Sequence, residues 1–79
     1  MPQLKFYTTT HCSLCEQVLD LLLSTPELAG FQVLSIDIAE DPDLLDRYGS
    51  KIPVLECNGH ELGAPIDQKG LLAWLAMQT

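Results

Sequence analysis

The stretch Leu4-Lys5-Phe6-Tyr7-Thr8-Thr9-Thr10-His11-Cys12-Ser13-Leu14-Cys15-Glu16-Gln17-Val18-Leu19 decides the fold. Leu4 to Tyr7 alternates as a strand does, and the three threonines make a corner. After the corner, Cys15, Val18, Leu19 and Leu22 recur at helical spacing, which predicts a helix of about 12 residues that stops before Thr25-Pro26. Two cysteines three residues apart therefore stand in the first turn of a helix that directly follows a strand.

Working outward, a connection through Glu27 to Gly30 leads into a second strand over residues 31–38, with Leu34, Ile36 and Ile38 on one face. Asp41-Pro42 reads as an N-cap followed by proline at the first helical position, and Gly49 is placed to end that short helix. Leu44, Leu45 and Tyr48 are its expected buried face. Residues 53–57, Asn58-Gly59 and residues 60–62 read as a hairpin, because Asn-Gly supplies the two positive φ angles of a type I′ turn. Asp67 caps a last helix carrying Leu71, Leu72, Trp74 and Leu75, with Gly70 as a weak point. The order β-α-β-α-β-β-α predicts an α/β fold: one domain over residues 1–79, a four-stranded mixed sheet and helices on both faces.

Composition narrows the function classes. The chain has 79 residues, 47% of them hydrophobic and 19% charged, as in a globular domain, and room for one site. No apolar run approaches the roughly 20 residues that span a bilayer, and Met1-Pro2-Gln3-Leu4-Lys5 lacks a signal-peptide pattern, so the expected location is the cytoplasm, with no membrane partner. Four Lys+Arg against eleven Asp+Glu give a net charge of -7, the opposite of a nucleic-acid-binding footprint. An anionic ligand would draw on Lys5, Arg47, Lys51, Lys69 or a helix N-terminus. Three cysteines exclude a fully paired disulfide framework, and in a reducing compartment a close pair points to catalysis or metal.

Cys-x-x-Cys at a helix start has a physical logic. Free backbone N–H groups and the positive end of the helix dipole favour thiolate over thiol, so Cys12 is the candidate nucleophile. Cys15, one turn later, is placed to attack the mixed disulfide and release the reduced substrate. His11, if protonated, would add to the thiolate stabilisation, while Glu16 reads as a solvated helix residue.

These residues carry a resemblance. The chain resembles a small glutaredoxin-like protein of the thioredoxin superfamily, through Phe6-Tyr7, the threonines, His11-Cys12-x-x-Cys15, and Lys51-Ile52-Pro53-Val54-Leu55. The resemblance implies thiol–disulfide oxidoreductase activity, with Cys12 as nucleophile, Cys15 as resolving residue and a redox-active disulfide between them. It implies that Pro53 is a cis-proline beside the cysteines and that Ile52 offers its backbone N–H and C=O to a substrate, as an added strand would. It further implies a monomer acting on a disulfide-bearing protein or a glutathione mixed disulfide, with glutathione as co-substrate and no tightly bound cofactor. Lys51 or Arg47 would meet the glycyl carboxylate of glutathione, and residues 63–67 the other carboxylate. The chain departs from the family's usual pattern in Ser13 and Leu14, which replace a proline and an aromatic residue, and in having threonines where a lysine is common.

Two other classes stand beside this reading. Cys57-Asn58-Gly59-His60 has Cys-x-x-His spacing and would complete a Cys₃His zinc set with Cys12 and Cys15. Against it, an antiparallel third strand puts Pro53 near the cysteine pair and Cys57 four residues farther off, roughly 13 Å at strand rise. Cys57 then reads as a small packed hydrophobe. An iron–sulfur cluster shared through Cys12, or an adaptor that binds a partner chain in the Pro53 groove, completes the alternatives.

Overall fold

The computed structural model describes residues 2–78. Its elements follow the expected order: β1 (Gln3–Thr8), α1 (Ser13–Leu23), β2 (Gln32–Asp37), α2 (Pro42–Tyr48), β3 (Val54–Cys57), β4 (His60–Gly63) and α3 (Gln68–Ala76). The four strands form one mixed sheet in the order β2-β1-β3-β4. β1 runs parallel to β2, from Gln3 opposite Gln32 to Thr8 opposite Asp37, and antiparallel to β3, with Phe6 opposite Leu55. β3 and β4 make the hairpin, with Cys57 opposite His60. Its turn has Asn58 at φ 54° and Gly59 at φ 81°, the two positive angles that the Asn-Gly pair predicts.

Strand alternation divides the core. Leu4, Phe6, Leu55 and Cys57 point to one face, where Cys15, Val18 and Leu22 of α1 and Leu71, Trp74 and Leu75 of α3 cover them. Tyr7 and Val54 point to the other face and pack with Ile38 and with Tyr48 of α2. The sheet thus has helices on both sides, and α2 alone serves the second.

Several local expectations are corrected. Leu45, expected in the buried face of α2, is 50% exposed, and Leu19, which recurs at helical spacing in α1, is 39% exposed. α2 has only seven residues, and Leu44 and Tyr48, four apart, already supply the stripe that meets the sheet. Residues 26–30, expected as a plain connection, form a 3₁₀ turn that buries Leu28. β2 stops at Asp37 rather than Ile38, because the Asp37 side chain accepts from the Ala39 N–H at 2.9 Å and starts a second 3₁₀ turn. Gly49 does end α2, with φ at -54°. What requires glycine there is a close approach, since a Cβ would lie 2.5 Å from the Leu45 carbonyl oxygen.

Candidate functional site

β1 delivers the chain to the upper edge of the sheet at Thr8, and the turn to α1 passes through His11, which adopts φ 58°. Cys12 is the N-cap of α1. Its backbone is extended, its carbonyl accepts the first helical bond from the Glu16 N–H at 3.1 Å, and its Sγ accepts from the Cys15 N–H at 3.2 Å. Sulfur here occupies the place of the oxygen in a serine or aspartate cap. Cys12 and Cys15 are joined as a disulfide with Cα atoms 5.2 Å apart, within the usual range for such a bond. Cys15 is buried in the α1 core face, whereas Cys12 is partly open to solvent.

The sequence-derived partners arrive from the loop between α2 and β3. Pro53 is buried, the Ile52–Pro53 peptide bond is cis, and Ile52 packs against both halves of the core. The expected exposure of the Ile52 N–H is corrected: it donates to the Tyr48 carbonyl at 3.0 Å, as the Lys51 N–H does at 2.8 Å. The loop folds back onto the end of α2, which commits the donor that was expected to face a substrate. Lys51 is exposed and lines a cleft of about 430 Å³ together with Leu14, Tyr48, Ile52, Glu61 and Ala64. His11 is exposed at the helix start and is not among the cleft-lining residues. Arg47 lies over the Tyr48 ring, 5.2 Å from its centroid, rather than in the cleft lining.

Tyr48 and Glu61 are the residues that sequence reasoning missed. Tyr48 was expected only as a core residue and Glu61 only as part of a hairpin. The Tyr48 hydroxyl donates to Glu61 Oε2 at 2.5 Å, and Tyr7 stacks on its ring with centroids 4.3 Å apart. That hydrogen bond, then burial, then the negative charge of Glu61 push the phenol up to about 12 from the ordinary 10.0. Period-2 alternation held the signal: Tyr7 opposes Val54, and Glu61 opposes Glu56, two residues on from Val54, so Glu61 shares the α2-side face.

Cys57 and His60 sit at the far end of the hairpin. With Lys5 opposite Glu56, Cys57 falls near the beginning of β1, whereas the disulfide follows its end. Cys57 is 1% exposed, and burial, with help from the Glu56 charge, raises its thiol pKa. His60 Nδ1 lies 3.1 Å from Gln78 Oε1. Among the described residues no group of three or more His, Cys, Asp or Glu side chains is placed to hold a metal ion. No described helix is long and apolar enough to cross a membrane.

Comparison with known proteins agrees with this geometry. The family described as Glutaredoxin-like domain (DUF836) matches residues 3–76. The X-ray structure of the structural-genomics target protein XcR50 from X. campestris is similar at 32% identity with TM-score 0.83, covering 96% of this chain and 99% of that one. The solution structure of the same target gives TM-score 0.81 at 32% identity, covering 100% and 97%. A structure described as a malarial protein shares the fold at TM-score 0.74 and 10% identity, covering 99% and 97%. No curated protein sequence matches the chain.

Proposed function

The chain belongs to the glutaredoxin-like domain family (DUF836), and from that membership we propose that it is a thiol–disulfide oxidoreductase of a reducing compartment such as the cytoplasm. The observation that carries the reading is the Cys15 N–H directed at Cys12 Sγ, 3.2 Å away, at the N-terminus of α1. In the reduced protein the same donor and the helix dipole stabilise a Cys12 thiolate relative to the thiol.

The reaction then balances as two exchanges. The Cys12 thiolate attacks one sulfur of a substrate disulfide, a bond to Cys12 Sγ forms, and the other substrate sulfur leaves and takes a proton. The Cys15 thiol loses its proton and attacks Cys12 Sγ, which forms the internal disulfide and releases the second substrate sulfur as a thiol. The substrate gains two electrons and the Cys12–Cys15 dithiol loses them. Burial of Cys15 beside a partly exposed Cys12 supports this division of labour. Pro53, Ile52, Lys51 and His11 flank the substrate in this reading, which requires no resident cofactor. A monomer meeting a disulfide-bearing protein or a glutathione mixed disulfide suffices.

The test is a redox equilibration of the protein against glutathione with mass analysis, alongside the pH dependence of Cys12 alkylation in the reduced form. The expected results are an internal disulfide under mild oxidation and a Cys12 midpoint at or below about 7.5. A midpoint near the free-cysteine value of about 8.5, with no internal disulfide, overturns the proposal.

A further inference from the structure

Two charged side chains, Lys51 and Glu61, line the cleft that Leu14, a residue between the two cysteines, also borders, and the fold holds them differently. Both are exposed, and Lys51 stands on a flexible four-carbon stem with no ion pair among the described residues. Glu61 is fixed: β4 sets its position, and the Tyr48 hydroxyl anchors Oε2 while Tyr7 stacking and Arg47 hold the Tyr48 ring. A hydroxyl supplies a hydrogen bond but no positive charge. Across the hairpin Glu61 faces Glu56, and here the two carboxylates differ again. Glu56 is matched by Lys5 at 3.8 Å and by the Gly59 N–H at 3.0 Å. Among the described residues no cation lies within ion-pair distance of Glu61.

We propose that Glu61 makes this cleft selective for disulfide substrates with a positive charge beside the disulfide, such as a peptide with lysine or arginine flanking its cystine, over anionic ones. The inference rests on the oxidoreductase reading and names the substrate class for that site. A charge held in place needs no ordering when a substrate arrives, so it discriminates better than a mobile one of opposite sign. The net charge of -7 adds to its field at longer range. Arg47, the remaining cation nearby, lies over the Tyr48 ring.

The experiment is a single-turnover reaction of the pre-reduced protein with two cystine peptides of equal length, one flanked by lysines and one by glutamates, with product thiol followed by mass analysis. At low ionic strength the basic peptide is expected to react about tenfold faster, a ratio that shrinks as salt is added. Glu61→Gln keeps a hydrogen-bond acceptor for Tyr48 and is expected to lower the ratio about threefold. Glu27→Gln removes the same charge from the 3₁₀ turn after α1 and is expected to leave the ratio within about twofold, separating the local carboxylate from overall charge. Equal rates for the two peptides in the wild-type protein, or a preference for the acidic one, overturn the proposal and leave the oxidoreductase reading standing. So does an equal effect of the two glutamine variants. Failure of the reduced protein to react with either peptide overturns the reading itself, and the selectivity with it.

Discussion

Tyr48 ties three parts of the molecule together through one side chain: it ends α2, stacks on Tyr7 of β1 and bonds to Glu61 of β4. Its raised pKa, about 12, has a thermodynamic consequence. The unfolded phenol loses its proton near pH 10 while the folded one keeps it, so the stabilisation is complete below pH 10 and is lost as pH rises through about 12. Absorbance titration should show a tyrosinate step with its midpoint near 12 that Tyr48→Phe removes and that Glu61→Gln moves down toward 10. If every tyrosine titrates near 10, the bond to Glu61 is not made in solution. Cys57 supports a second residue-scale prediction. Its thiol is 1% exposed and its pKa is raised by burial, so the native reduced protein should be alkylated at Cys12 while Cys57 stays unmodified. Cys57 should react once guanidinium is added, and labelling of Cys57 before unfolding would contradict its place in the core.

Among the elements, α3 depends on its cap, because Asp67 Oδ1 accepts from the Gly70 N–H at 2.7 Å and the first turn contains no acidic residue. Asp67→Ala is expected to cost about 1 kcal/mol, and a midpoint of thermal unfolding lowered by about 4–8 °C would register it. An unchanged midpoint would show that packing of Leu71, Trp74 and Leu75 holds α3 without the cap. Features of this kind were legible in the sequence because the signal and its partner lie within three or four residues. The Asp41 and Asp67 caps, the Asn58-Gly59 turn and the Cys12–Cys15 spacing are all of that sort. The Tyr48–Glu61 bond was not legible, since it spans 13 positions and exists only through the registers of β1, β3 and β4. The Ile52 N–H escaped for another reason: whether a loop donor faces solvent or folds back onto a helix end is decided by the few residues between Gly49 and Pro53, none of which carries a distinctive turn signal. Leu45 and Leu19 show the matching limit of hydrophobic periodicity, which marks a stripe without telling how wide a face the sheet will cover.

At the scale of the whole molecule the two faces of the sheet carry unequal loads. α1 and α3 together seal the face of Leu4, Phe6, Leu55 and Cys57, whereas α2 offers two turns to the other face, which also carries Glu56 and the cleft residue Glu61. Stability should therefore reside on the first face, with the cleft built on the second. A domain of 79 residues has on the order of 4–12 kcal/mol in total at about 0.05–0.15 kcal/mol per residue. Leu55 is 0% exposed in the interior strand β3, so Leu55→Ala should remove about 2–5 kcal/mol, a large share of that total. Val33 lies in the edge strand β2 and is 40% exposed, so Val33→Ala should cost less than about 1 kcal/mol. Denaturant unfolding followed by the fluorescence of Trp74, which is the chain's single tryptophan and packs in the same cluster as Leu55, reads both variants directly. A midpoint that falls steeply for Leu55→Ala and hardly moves for Val33→Ala is the expected result. Val33 pairs with Leu4 and so shares the face of Leu55, and equal losses would mean that the edge strand carries as much of that face's load as the interior strand.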